Sequence, residues 1–146
     1  MHDLLLILHN LFRWLVLLSA FWVLFTSVRG LRSLTYSPSD QTAGRVFVST
    51  MDIQLLLGIL LYWISPLIRA AMTNFGAAMQ ASQTRFFLVE HVLLMIVAVA
   101  LAHIGSVRIR RTPTAPVKHR QALIWYGLSL LVVLLAIPWW RPLLRL

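Results

Sequence analysis

Four long apolar runs, parted by short stretches that carry most of the arginines, limit what this chain can fold into more than any other feature. They fall near Leu4 to Val28, Val46 to Leu67, Phe86 to Val107 and Ala122 to Trp140. A bilayer span takes about 20 predominantly apolar residues, so four spans use roughly 80. A chain of 146 residues then has little left for a soluble domain. Composition agrees, with 60% apolar and 12% charged residues, against roughly 45–50% and about 25% in soluble domains. The expected fold is all-α: a single transmembrane domain over residues 1–146, an integral membrane four-helix antiparallel bundle with both termini on one side. The start, Met1-His2-Asp3, has no basic residue and no Ala-x-Ala pattern follows, so the first run reads as a retained helix and not as a signal peptide.

Lysines and arginines number 13 against four carboxylates, a formal charge of +9. In a soluble chain such an excess points to nucleic acid; between membrane spans it sets topology, and no nucleic-acid partner is expected. Arg29, Arg32, Arg45, Arg108, Arg110, Arg111, Lys118 and Arg120 fall on one side, whereas Arg69, Arg85, Arg141 and Arg145 fall on the other. The richer side is expected to be cytoplasmic, which leaves both termini outside, on the periplasmic face. Between the second and third spans, Ile68, Met72, Phe75 and Met79 recur at helical spacing, which suggests a short interfacial helix lying over the outer face. Arg111-Thr-Pro-Thr-Ala-Pro116 reads as an extended turn.

Cysteine is absent, which excludes disulfides, iron–sulfur clusters and thiol nucleophiles. No phosphate-binding glycine loop or nucleophile motif occurs. What remains are ionisable residues inside the spans, which are costly there and need a partner or a task. The first and third spans run in the same direction, and His9 and His91 each lie about five residues into one of them, at similar depth near the outer face. Two neutral imidazoles facing each other across a bundle are the axial ligands of a six-coordinate haem iron. The bland alternative is two separate histidines, each hydrogen-bonded near the interface.

Arg13 follows His9 by one helical turn, roughly 6 Å deeper, and Glu90 precedes His91. An Arg13–Glu90 ion pair would relieve both desolvation costs. In the functional alternative, Arg13 or Arg85 binds a haem propionate and Glu90 orients an imidazole or carries protons. Towards the cytoplasmic side, Asp52 and His103 are expected at comparable depth, as a satisfied polar pair or, with Gln54, as a proton or quinone site. His119 reads as a loop-end residue in the headgroup region. A second haem on His103 and His119 is the less favoured arrangement, because His91 and His103 are rotated by about 120° along their helix.

The segments His9-Asn-Leu-Phe-Arg-Trp14, Asp52-Ile-Gln-Leu-Leu-Leu-Gly58 with Leu61-Tyr62, Arg85-Phe-Phe-Leu-Val-Glu-His91, and Tyr126-Gly127 with Ile137-Pro-Trp139 resemble small bacterial four-helix membrane proteins of cytochrome b-like type. The resemblance touches all four spans. It implies a four-helix bundle in the bacterial inner membrane, with b-type haem on His9 and His91 and electron exchange with quinone or a respiratory or photosynthetic complex. The chain departs from better-defined di-haem cytochromes, whose paired histidines lie about 13 to 14 residues apart on each of two helices. The expected function is thus one-electron transfer by one haem b. The alternative is a cofactor-free accessory subunit stabilising a larger membrane complex. The expected partners are the lipid bilayer, quinone, and subunits of a larger complex or further copies of the chain in a homo-oligomer. A proton-coupled carrier built on Asp52, Glu90 and His103 has neither a broken helix nor an inverted repeat to support it.

Overall fold

The structure, a computed structural model, describes residues 1–141, so Arg145 lies outside the described residues. All elements among these residues are helical. In chain order they are α1 (His2–Ser33), α2 (Pro38–Ile64), α3 (Pro66–Thr73), α4 (Phe75–Gln80), α5 (Ser82–Arg111) and α6 (Ala115–Ala136). Four of them, α1, α2, α5 and α6, are long and apolar enough to cross a membrane. Helix α5 continues through a π-helical turn at Phe86–Glu90.

At one end of the bundle all four long helices outrun the apolar segments. Helix α1 reaches Ser33, α2 starts at Pro38, α5 reaches Arg111 and α6 starts at Ala115. Apolarity marks the hydrocarbon slab, whereas arginine, glutamine and lysine are good helix formers that carry the helices into the headgroup layer. The start of α2 is held by a capping box: Asp40 N–H donates to Ser37 Oγ at 3.3 Å, and Ser37 N–H donates to Asp40 Oδ2 at 2.7 Å. Helix α1 stops at Leu34, whose φ of 56° is left-handed and whose N–H returns to the Gly30 carbonyl. The expected turn before α6 shrinks to residues 112–114, because Pro116 fits within the first turn of a helix.

At the other end, the fourth span is shorter than its apolar run. Helix α6 ends at Ala136, not Trp140, since Pro138 offers no N–H and holds Ile137 extended, at φ −74° and ψ 127°. The connection between α2 and α5 is helical as expected, but not along one face. Asn74 breaks it and caps α4, so Ile68 is buried with Ala71 and Ala78 while Met72 and Phe75 are exposed.

Helix α1 packs on α2 and α6, and α5 on α6 and, less extensively, α2. Helices α1 and α5 therefore face each other across the diagonal. The core is Val16, Ala20 and Val23 of α1, Phe47 and Met51 of α2, Met95, Ala98 and Ala102 of α5, and Ala122, Tyr126 and Val133 of α6. Alanines let the backbones approach, and hydroxyls bind across helices: Ser19 to Thr50 at 2.9 Å and Ser129 to the Ala98 carbonyl at 2.8 Å. Leu18, Phe21 and Leu135, by contrast, are more than half exposed. An apolar exterior around an apolar interior is what a lipid solvent requires.

Candidate functional site

His9 on α1 and His91 on α5 meet across the diagonal, with ring centroids 6.3 Å apart and planes at 75°. Their expected common depth is therefore matched by a common facing. A cavity of about 320 Å³ lies on the α6 side of the pair, lined by Arg13, Val133, Ala136 and Pro138 among others. A second, of about 640 Å³, opens on the α2 side along Gly58, Tyr62 and the start of α3. His9, Gln54, Phe87, His91, Met95 and Arg141 line both. The histidine pair thus stands between two spaces. Gly58 flanks the pair: a Cβ on it would sit 3.4 Å from His9 Cε1, in ordinary contact, and anything larger would extend over the ring.

His91 is fixed in one tautomer. Its Nδ1 lies 2.8 Å from the Ala136 carbonyl, which can only accept, so Nδ1 carries a proton and, in the neutral imidazole, Nε2 keeps the lone pair. That carbonyl is open because α6 stops there and the next turn has no N–H to offer. The π-helical turn ends on the same residue: the His91 N–H reaches back to the Phe86 carbonyl. Phe86 and Phe87 then lie against the imidazole, at centroid distances of 5.8 Å and 6.1 Å. The Tyr62 hydroxyl donates to the Leu88 carbonyl at 3.0 Å and ties this turn to α2.

His9 is held differently. The Gln54 amide Nε2 donates to the His9 carbonyl at 3.0 Å and lies 3.3 Å from the ring Nε2. His9 Nδ1 and Gln54 Oε1 are buried without a hydrogen-bond partner among the described residues. Gln54, grouped with Asp52 and His103 on sequence grounds, therefore belongs to the histidine pair. Two residues apart on a helix are about 200° apart in direction, and Asp52 faces the opposite way.

The Arg13–Glu90 ion pair does not form. Glu90 takes Arg85 instead, Nε to Oε1 at 2.7 Å, because the π turn brings residues five apart onto one face. Arg85 also donates to the Met79 carbonyl and lines neither cavity. Arg13 does line the smaller one. Arg141, which the sequence placed only among the basic residues of the outer side, lines both and stacks its guanidinium over Phe87 at 4.2 Å. The only signal for it was its place just after the helix-ending Ile137-Pro138.

At the arginine-rich end, Asp52 Oδ1 and His103 Nε2 are hydrogen-bonded at 2.7 Å, as their matched depth suggested. His119 is not a headgroup residue: it is fully buried, donates Nε2–H to the Thr35 carbonyl at 2.8 Å and covers Gly30. His103 faces outward and His119 inward, so the two line no common cavity.

Comparison with protein-family models, with curated proteins and with solved structures gave no match to this chain. What the site can do is therefore argued from its residues.

Proposed function

We propose that the chain is a b-type cytochrome of the bacterial inner membrane, holding one haem b between His9 and His91 and exchanging single electrons with a quinol or a respiratory or photosynthetic partner. The arginine-rich end is taken as cytoplasmic by the positive-inside rule, which puts both termini and the haem towards the outer face. The observation that carries the reading is the 6.3 Å separation of the two imidazoles between two cavities. Imidazoles bound to one metal from opposite sides, with bonds of about 2.0 Å, have ring centres roughly 6 Å apart.

The residues fit such a group. His91 offers Nε2 while its other nitrogen is anchored to a carbonyl, the usual support of a ligating histidine. His9 offers an imidazole whose Nδ1 lacks a partner; ligation through Nε2 needs the Gln54 amide to yield that nitrogen and keep the His9 carbonyl. Arg13 and Arg141 supply positive charge for propionates. Leu6, Val16, Met95 and Val133 give apolar walls for a flat macrocycle. When bound, haem supplies the one-electron chemistry, and the protein supplies ligands, a dry surrounding and charge.

A specific observation also favours a second reading. Gln54 already ties His9 to α2, and Ala136 already ties His91 to α6, so both histidines could serve as helix fasteners in a cofactor-free accessory subunit. One experiment separates the two. The detergent-purified chain, made with ample haem, is expected to give b-type bands in a reduced-minus-oxidised spectrum at about one haem per chain. His9→Ala and His91→Ala are expected to lose them while circular dichroism stays helical. A parent protein without haem would sink the cytochrome reading and leave the accessory subunit.

A further inference from the structure

The Asp52–His103 pair belongs to neither cavity, and its position calls for a neighbour. The pair bridges α2 and α5 on the outside of the bundle, with the two side chains 47% and 52% exposed. Asp52 lies seven residues beyond Arg45, and His103 five before Arg108, about 10 Å and 8 Å of helical rise inward of those arginines. Leu56, Ile96 and Val107 are exposed on the same two helices, so the pair sits within the apolar belt. Ionisable side chains at such depth face a bundle interior or a water-filled cavity, because lipid tails solvate them badly.

The chemistry of the pair says what covers it. Among the described residues no other hydrogen bond reaches Asp52 Oδ2 or His103 Nδ1. In an apolar surrounding the pair is held electrically neutral, either as carboxylate and imidazolium or as carboxylic acid and neutral imidazole. Both forms leave the same two groups over: one donor, Nδ1–H, and one acceptor, Oδ2. A patch with one donor and one acceptor is complementary to a two-fold copy of itself.

We propose that the outward faces of α2 and α5 form the interface of a homodimer, in which Asp52 Oδ2 of each copy accepts a hydrogen bond from the partner's His103. Ser49 and Ala100, one helical turn from Asp52 and His103 on the same exposed faces, let the helices of two copies approach closely. The network of two acids and two imidazoles is then closed and neutral, and removed from lipid.

The test uses the full chain in phospholipid vesicles. The chain has no cysteine, so a single Ala100→Cys can form a disulfide only between copies. Mild oxidation is expected to give a covalent dimer from Ala100→Cys and none from Leu135→Cys, which is exposed on α6. An Asp52→Leu, His103→Leu double variant makes the patch apolar without burying a lone charge. Each interhelical hydrogen bond in a membrane is worth about a factor of three, so losing two should weaken dimerisation about tenfold, read by energy transfer between labelled copies over a series of lipid dilutions. Equal cross-linking of Ala100→Cys and Leu135→Cys, or an unchanged dimerisation constant in the double variant, would overturn the proposal. So would a monomer whose Ala100→Cys thiol is shielded from alkylation by an added short-chain quinone, which would assign the patch to that ligand.

Discussion

Gly30 and His119 offer a quantitative test of how the arginine-rich end is packed. A Cβ on Gly30 would overlap Cε1, Nε2 and Nδ1 of the His119 ring together. The ring cannot swing away freely. It is fully buried, bonded to the Thr35 carbonyl at 2.8 Å, and set against Tyr36 at a centroid distance of 5.2 Å. Overpacking costs roughly 1–3 kcal/mol and the lost hydrogen bond about 1 kcal/mol. Alanine returns about 1 kcal/mol as the better helix former. Gly30→Ala should therefore destabilise the bundle by about 1–3 kcal/mol. His119→Ala removes the obstacle, so adding Gly30→Ala to it should restore the propensity gain, a coupling of about 2 kcal/mol or more in a double-mutant cycle. Equilibrium unfolding in mixed micelles, followed by tryptophan fluorescence, measures all four proteins. Additive effects, or a Gly30→Ala single variant more stable than its parent, would refute the contact.

Three further outcomes are expected. Leu34→Gly should raise stability by about 1 kcal/mol in the same unfolding assay, because the left-handed φ of 56° strains any residue with a Cβ and suits glycine. Burial, with help from the Asp40 carboxylate, holds the Tyr36 phenol above its ordinary value of 10.0. The folded state thus favours the protonated form, so its contribution is full below pH 10 and is lost as pH rises through the folded-state value; Tyr36→Phe should flatten that alkaline loss, seen as unfolding midpoints on either side of pH 10. If haem binds as proposed, Gly58→Ala should leave haem per chain unchanged, since a methyl group at 3.4 Å from His9 Cε1 is ordinary contact. Gly58→Leu, which extends over the ring, should cut haem per chain at least tenfold in a pyridine-haemochrome assay with both histidines intact, and full loading would count against the site.

Depth was legible in the sequence and direction was not. Counting residues inward along two parallel helices places His9 beside His91 and Asp52 beside His103, because helical rise is nearly constant. Direction needs a contrast between faces, and a helix that is apolar towards both core and lipid provides almost none. Gln54 was accordingly joined to Asp52, although the bundle turns Gln54 inward to His9 and Asp52 outward to lipid depth. His119 was misread for a related reason. Its neighbours in sequence are Lys118 and Arg120, yet the absence of a side chain on Gly30 opens the space it fills, and that space exists only once α1 and α6 have packed.

The π turn marks the limit of local rules most clearly. In an α-helix, residues five apart differ in direction by about 140°, so Arg85 offers nothing to Glu90 and the deeper Arg13 looks the better partner. A turn whose hydrogen bond itself spans five residues stacks Arg85 over Glu90 and closes their ion pair at 2.7 Å. The wider turn interrupts the regular bonding ladder of α5. Two contacts offset that: the Arg85–Glu90 pair along the helix and the Tyr62 hydroxyl on the Leu88 carbonyl from α2. Next to it, the end of α6 holds the imidazole through the Ala136 carbonyl. His91 is thus oriented by three separate elements that converge only in the folded bundle. Its ring is held in one orientation by contacts that leave Nε2 unused: the Ala136 carbonyl on Nδ1 and the Phe86 and Phe87 rings against its face.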